Sequence, residues 1–145
     1  MSDVLSPEKR SWNMSRIRGA DTSIELKVRR ALFKAGFRFR KNVKSLPGKP
    51  DIVLPKYKTV IFVHGCFWHR HPGCKDASMP KTRVEFWKEK FARNIENDIR
   101  NKECLENMGW QVIIIWECEV NSRFDDTMNS VIRRLHLSAE TQTVT

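Results

Sequence analysis

Hydrophobic residues first recur at helical spacing between residues 22 and 36. Thr22 and Glu25 match the capping box, in which a hydroxyl accepts from a backbone N–H and a carboxylate reaches back to the cap. Gly36 then ends the repeat, as glycine commonly does after the last helical turn. This pattern predicts a first helix and gives Glu25 a structural role in its cap.

Two later segments show the same spacing. Residues 84–108 form the longest one, which Gly109 ends. Its inward face would contain Trp87, Phe91, Ile95, Ile99, Leu105 and Met108. A last helix would begin at a capping residue, Asp125 or Asp126, and we expect residues 138–145 beyond it to form a disordered tail.

Four short runs have the patterns of β-strands. Residues 37–43 alternate between apolar and polar, which is typical of a half-buried strand. Residues 51–54 and 59–63 are short apolar runs, and residues 111–116 are β-branched at nearly every position, as in a strand buried on both faces. The order of helix, three strands, helix, strand and helix predicts an α/β sandwich with a mixed sheet.

A length of 145 residues suits one domain with a proper core, which we place at residues 21–137. The chain has no apolar run long enough to cross a membrane, and its polar N-terminus shows no secretory signal. We therefore expect a cytoplasmic protein. Its four cysteines would stay reduced there and would serve a metal rather than disulfides.

The net charge of +10 is concentrated in the first third of the chain. Residues 1–50 contain 13 Lys and Arg against 4 Asp and Glu, whereas residues 51–145 contain 14 against 13. A localised basic surface suits nucleic acid, although a basic face can also serve solubility alone. Residues 1–20 mix basic and apolar side chains, so we predict a DNA-contacting arm; the alternative is an arm docked on its own domain.

Residues 60–74 lead from an apolar strand into a loop that holds three of the four histidines. Cys66, His71 and Cys74 in this loop supply three of the four ligands that a structural zinc ion takes. A fourth ligand must come from elsewhere in the chain.

We predict that the fourth ligand is Cys118, which follows the strand at residues 111–116. If that strand lies beside residues 60–63, both lead out at one edge of the sheet. Cys104 is the rival, but it lies within a predicted helix and we interpret it as a small core residue.

The same region supplies groups for acid–base chemistry. A neutral imidazole such as His64 or His69 can accept a proton from water near pH 7, although many histidines are only buried core residues. Asp51 opens a strand after a turn, where a carboxylate can hold Mg²⁺ or simply cap the turn. Together these groups could hydrolyse a phosphodiester.

Phe67 and Trp68 interrupt the predicted ligands, and Trp87 lies near the start of the long helix. Rings held by a metal-stiffened surface loop could wedge between base pairs. The alternative is that they belong to the core.

Four short motifs together resemble the very short patch repair (Vsr) DNA mismatch endonucleases. They are residues 64–69 (HGCFWH), 46–51 (LPGKPD), 85–87 (EFW) and 116–118 (WEC). The resemblance implies a restriction-endonuclease-like three-layer sandwich, in which helices flank the mixed central sheet, with a structural zinc site. It also implies a Mg²⁺-dependent nick 5′ to the thymine of a T:G mismatch left by deamination of 5-methylcytosine.

The resemblance also implies roles for individual residues. Asp51 would hold Mg²⁺ together with the main-chain carbonyl of Val63, a position where some relatives carry Thr. His69 would be the general base and His64 would support the scissile phosphate. The outer support of the site would come from Glu25 and Asp98.

The remaining roles concern zinc and DNA. The zinc ligands would be Cys66, His71, Cys74 and Cys118, although the loop at Pro72 and Gly73 is one residue longer than in some relatives. Phe67, Trp68 and Trp87 would form a wedge beside the mismatch, opposed by Met14 and Ile17 on the arm. The partners would be mismatched double-stranded DNA and mismatch-repair proteins, and the enzyme would be a monomer associated with the bacterial nucleoid.

Two other functions remain open at this stage. One is a nuclease of related fold without mismatch specificity. The other is a zinc-stabilised DNA-binding module without catalysis, which would need the basic arm but not Asp51, His64 or His69.

Overall fold

A computed structural model of the protein describes residues 22–143, apart from the side chains of Asp76 and residues 140–143. The predicted arm at residues 1–20, with Met14 and Ile17, lies outside the described residues. Within them, no helix is long and apolar enough to cross a membrane.

Four α-helices and four strands follow one another within residues 22–143. They are α1 (Ser23–Lys34), β1 (Arg40–Lys41), β2 (Ile52–Leu54), β3 (Thr59–His64), α2 (Val84–Asn107), β4 (Gln111–Trp116), α3 (Glu117–Ser122) and α4 (Phe124–Thr143). The predicted order of elements is confirmed, with the addition of the short helix α3.

The strands form one mixed sheet in the order β1-β2-β3-β4. β1, β2 and β3 pair antiparallel, whereas β3 and β4 pair parallel with Val60 opposite Val112 and His64 opposite Trp116. The carboxyl ends of β3 and β4 therefore leave the sheet side by side. This register brings the loop after His64 next to the start of α3.

The core lies on both faces of the sheet, because successive strand residues point to opposite sides. Ile61 and Val63 of β3 pack with α1, α3 and α4 in one cluster, whereas Val60 and Phe62 pack with Leu105 of α2 in another. Helices thus cover both faces, and the predicted α/β class with a mixed sheet is confirmed.

The first strand is shorter than predicted because the turn after α1 takes up its beginning. Gly36 has a left-handed backbone with φ of 98°, and the N–H of Phe37 donates to the Leu32 carbonyl at 3.0 Å. Phe37 is consequently buried as part of the helix end, and pairing with β2 starts at Arg40.

The predicted inward face of α2 is wrong in its middle. Phe91 and Leu105 are buried, but Ile95, Ile99 and Met108 are exposed. The core interpretation of Cys104 is also wrong, because this residue is exposed. The buried apolar residues of α2 thus lie near its two ends, whereas its middle carries Asp98 and Asn101 at the edge of a cavity.

The end of the chain differs from the prediction as well. The helix α4 begins at Phe124 and its backbone continues to Thr143, beyond the predicted start of a tail at residue 138.

Candidate active site and metal centre

A cavity of about 160 Å³ opens beside the sheet, between the carboxyl half of β3 and the helix α2. The predicted active-site residues that line it are Glu25, Asp51, Val63, His64, His69 and Asp98. Residues from α1, from β3, from the loop that follows His64 and from α2 therefore line the same cavity. Lys49, Asn101 and Lys102 also line the cavity and were not identified from the sequence.

Asp51 is held at the cavity by the backbone of the neighbouring strand. Its Oδ2 atom accepts a hydrogen bond from the N–H of Val63 at 2.7 Å. The pKa of Asp51 is raised from 3.8 to about 6, mainly by burial; the Val63 hydrogen bond opposes this rise, and the charge of Glu25 contributes to it. A nearby cation would stabilise the ionised form of a carboxylate that is shielded from water in this way.

Glu25 takes part in the cap of α1 through its backbone and lines the cavity. Its backbone N–H donates to the Thr22 hydroxyl at 3.4 Å, which caps α1 as predicted. Its carboxylate is buried and accepts from Arg29 one turn later at 3.4 Å. Arg29 was missed, although its i,i+4 spacing from Glu25 is the usual signal for such a pair.

His69 and Asp98 lie within hydrogen-bond distance of each other. His69 Nδ1 lies 2.7 Å from Asp98 Oδ2. An ionised carboxylate can only accept, so Nδ1 carries the proton and Nε2 keeps its lone pair. This tautomer leaves the imidazole of His69 free to take a proton from water at Nε2.

His64 lies directly against His69. The two rings stack with centroids 3.7 Å apart and planes 6° from parallel. Burial, together with repulsion from His69, lowers the pKa of His64 to about 3, so this ring is neutral at physiological pH. Its buried Nδ1 atom has no hydrogen-bond partner among the described residues.

The ligand atoms of His64, His69 and Asp98 all lie within 4.8 Å of one another, which is close enough for a metal triad. A metal bound to imidazole lies near the ring plane, however, and two parallel stacked rings cannot share an ion in this way. Asp98 is also already bonded to His69. The geometry of this group therefore does not suit a shared metal ion.

Replacing Asp98 with Asn should lower the maximal cleavage rate about 10- to 100-fold, because the amide no longer fixes the reactive tautomer of His69. Substrate affinity should change little, so single-turnover rates at saturating DNA are the measurement. Glu96→Gln removes a carboxylate from the exposed side of the same helix and serves as the control. An unchanged rate in Asp98→Asn would show that the pair of His69 and Asp98 has no role.

The turn before Asp51 rests against α2. Gly48 has φ of 77°, and a Cβ atom added there would lie 2.9 Å from Nδ2 of Asn101. The Asn101 side chain thus leaves no room for a methyl group at Gly48, three residues before Asp51.

Gly48→Ala should therefore reduce the free energy of unfolding by about 1–3 kcal/mol through backbone strain and this clash. Gly36→Ala measures the backbone strain without a clash. The φ of Gly36 is 98°, and nothing lies within 4 Å of a Cβ atom added there. Urea unfolding should show a larger loss for Gly48→Ala, part of which Asn101→Ala recovers. Equal losses at the two glycines would contradict the contact.

The four predicted zinc ligands come together at the carboxyl ends of β3 and β4. The ligand atoms of Cys66, His71, Cys74 and Cys118 all lie within 4.8 Å of one another. His71 Nδ1 lies 3.7 Å from Cys66 Sγ and 3.4 Å from Cys118 Sγ. Tetrahedral zinc with ordinary bond lengths places nitrogen and sulfur ligands about 3.6 Å apart, so the donor set fits this metal.

The backbone around this centre supports a thiolate cluster. The N–H of Cys118 donates to Cys66 Sγ at 3.4 Å, and the N–H of Cys66 donates to the Glu117 carboxylate at 3.3 Å. His71 stacks on Trp116 with ring centroids 4.2 Å apart. Burial raises the pKa of the Cys66 thiol to about 12 and raises that of Cys118, so without a cation both thiols keep their protons.

The loop also carries a cluster of aromatic rings. Phe67 makes edge contacts with Trp68, Trp87 and Phe91 at centroid distances of 5.3, 5.7 and 5.2 Å. Phe91 is buried, whereas Phe67, Trp68 and Trp87 are half-buried. The three predicted wedge residues therefore form one surface that is anchored on the start of α2.

Comparison with known proteins identifies the relatives of the chain. The family model of the DNA mismatch endonuclease Vsr matches residues 2–76. The DNA mismatch endonuclease Vsr of Escherichia coli K12 is 44% identical over 135 residues, which cover 93% of this chain and 86% of that protein.

Two nicking enzymes are similar to a comparable degree. The type II nicking enzyme V.NmeAIP of Neisseria meningitidis is 45% identical over 137 residues, 93% of this chain and 97% of the relative. The type II nicking enzyme V.XorIIP of Xanthomonas oryzae is 45% identical over 121 residues, 83% of this chain and 88% of the relative. The chain is therefore an endonuclease and belongs to the Vsr family of DNA mismatch endonucleases.

Proposed function

We propose that this endonuclease nicks one DNA strand 5′ to the thymine of a T:G mismatch that arises from deamination of 5-methylcytosine. The observation that carries the proposal is the 2.7 Å bond between His69 and Asp98 in the same cavity as the half-buried Asp51. The cavity thereby brings together a general base, His69, and a separate carboxylate, Asp51, that would favour a divalent cation. The match to the mismatch endonuclease family supports the choice of substrate.

The oxygen donors at the cavity suit Mg²⁺. Asp51 and the main-chain carbonyl of Val63 would hold the ion, which keeps several water ligands of its own. When bound, it would polarise the phosphate and offset the negative charge that builds up during hydrolysis. Val63 serves this purpose as well as a threonine would, since the ligand is a backbone atom.

The side chains of the site carry out proton transfer and bind the phosphate. His69 Nε2 takes a proton from water, and the water oxygen attacks phosphorus. The bond between phosphorus and the 3′ oxygen breaks at the same time, and this leaving oxygen takes a proton from solvent. Asp98 stabilises the imidazolium that forms. His64, which is neutral, offers a hydrogen bond to the scissile phosphate, and Glu25 with Arg29 supports the wall behind Asp51.

The zinc and the wedge act together in this proposal. A closed set of four ligands is typical of structural zinc, which would stiffen the loop without taking part in hydrolysis. Phe67, Trp68 and Trp87 would enter the duplex beside the mismatch, and Met14 and Ile17 would act from the opposite side. A mismatched step is easier to unstack than a paired one, which favours recognition.

The wider setting of the enzyme is part of the same proposal. It would be a restriction-endonuclease-like sandwich that works as a monomer on double-stranded DNA in the bacterial cytoplasm. It would hand its nicked product to mismatch-repair proteins.

A library of duplexes tests the proposal. Each duplex carries one of the mismatches or a matched pair in randomised flanks, and strand-resolved products are measured in Mg²⁺ with zinc-loaded protein. Nicks should occur only at T:G and only on the thymine strand. Equal cutting of matched DNA would indicate a nuclease without mismatch specificity, and binding without any cutting would indicate a non-catalytic module.

A further inference from the structure

Arg70 separates the base His69 from the ligand His71, and its side chain bonds to the protein's own backbone. One of its terminal nitrogens donates to the carbonyl of Phe67 at 3.1 Å and to that of Ser78 at 3.3 Å. The other donates to the carbonyl of Ala77. Arg70 thus bridges the start of the loop and the segment that follows Cys74.

The guanidinium of Arg70 also lies on aromatic rings. Its central carbon is 4.0 Å from the ring centroid of Phe91 and 5.5 Å from that of Phe67. Phe91 is buried at the base of the aromatic cluster. The same side chain therefore fixes the backbone of Phe67 and packs against its ring.

Only a guanidinium can make both sets of contacts. It is planar and carries five N–H donors in its plane, so it can bond carbonyls at its edge while its faces lie on rings. The backbone of Arg70 has φ of 52°, a left-handed conformation that a non-glycine residue adopts at a cost. These contacts compensate for that cost.

We propose that Arg70 is a positioning residue for mismatch recognition, which holds Phe67 in the orientation needed to enter the duplex before DNA binds. The inference rests on the proposed wedge function of Phe67, Trp68 and Trp87. A ring that is already ordered loses no rotamer freedom on insertion, so more of its contact energy is left for unstacking the base pair.

The geometry separates this role from two simpler ones. Both terminal nitrogens of Arg70 face carbonyls, so they do not point outward as phosphate ligands would. The side chain reaches Phe67, Ala77 and Ser78 rather than a predicted zinc ligand.

The test uses the zinc-loaded protein and a duplex with 2-aminopurine next to the T:G mismatch, whose fluorescence rises when the base unstacks. Arg70→Met should lower the fluorescence change and the nicking rate at T:G about 10-fold each. Arg70→Lys should cause the same two losses as Arg70→Met, because the ammonium group of lysine cannot replace the planar guanidinium. Zinc content and binding of matched DNA should be unchanged.

Arg83→Met is the matched control. Arg83 has the same φ of 52° and lies 4.5 Å over the ring of Phe86, but both residues are exposed. Its loss removes an equal charge beside a ring that contacts Trp87 of the cluster, and should change nicking by no more than about twofold. A similar loss in both Met variants would assign the effect to charge and overturn the proposal.

A double-mutant cycle with Phe67→Ala shows whether Arg70 acts through the ring. In the Phe67→Ala background, Arg70→Met should cause no further loss. Additive losses, loss of zinc from Arg70→Met, or wild-type nicking by Arg70→Lys would each contradict the proposal. If the wild-type protein itself neither unstacks nor nicks T:G, the proposed function fails instead.

Discussion

Asp51→Asn should abolish nicking of a T:G duplex, with a loss on the order of 10³-fold or more, while DNA binding stays within a few-fold. The amide can still accept the hydrogen bond from Val63, so the local backbone keeps its shape. What is lost is the negative charge that would hold Mg²⁺. Single-turnover nicking and binding of uncleaved DNA measure the two effects separately.

Glu103→Gln is the control for this prediction, since it removes an exposed carboxylate from α2. It should nick as fast as the wild type. Retained cleavage in Asp51→Asn would show that another residue holds the catalytic cation.

The same substitution should stabilise the metal-free fold at neutral pH. The pKa of Asp51 is about 6 in the folded protein against 3.8 ordinarily, so folding opposes ionisation of this group. The resulting penalty is absent below 3.8, grows as the pH rises towards 6, and is complete above it. Since Asp51 is only partly buried, we expect Asp51→Asn to add on the order of 1–2 kcal/mol to the free energy of unfolding at pH 8.

Urea unfolding without Mg²⁺ measures this effect across the pH range. The advantage of Asp51→Asn should hold at pH values above about 6 and shrink as the pH falls from there towards 3.8. A variant that is less stable than the wild type at pH 8 would contradict the account of Asp51 as a strained functional group.

Loss of the zinc site should have an even broader effect. Cys118→Ser should abolish zinc binding and nicking, and should lower the thermal midpoint by more than about 10 °C, because structural zinc supplies several kcal/mol of folding free energy. The same loop carries His69, Phe67 and Trp68, so catalysis and recognition should fail together. Metal analysis, thermal unfolding and the nicking assay are the measurements.

Cys104→Ser is the matched control for this loss, because Cys104 is exposed on α2 and lies outside the ligand cluster. It should keep its zinc, its stability and its activity. Full nicking by zinc-free Cys118→Ser would contradict a structural role for the metal.

The course of the chain was largely predictable because its local signals agree with its packing. Thr22 and Gly36 mark the ends of α1, and the β-branched run before Trp116 is the buried strand β4. The spacing of apolar residues along a helix does not indicate, however, how much of the helix packs against the rest of the protein. Ile95 and Ile99 fit an inward face, but both are exposed, because the middle of α2 turns Asp98 and Asn101 towards the cavity instead.

The residues of the site could likewise be recognised from their local positions, but the contacts between distant residues could not. The position of Asp51 after a turn and of His69 in a metal-binding loop indicated chemistry at each place. Asp98 could be assigned only through the family resemblance, because its contact with His69 spans 29 residues of sequence. Asn101 and Arg70 act through contacts that no local pattern reveals.

The central claim is strand-specific hydrolysis at a T:G mismatch by the cavity around Asp51 and His69. The most direct test is a T:G duplex labelled separately on each strand, incubated with the zinc-loaded protein and Mg²⁺, with products resolved to the nucleotide. The account predicts a single break 5′ to the mismatched thymine for the wild type and none for Asp51→Asn. Breaks on the guanine strand, at other positions, or at the same rate in a T:A duplex would contradict it.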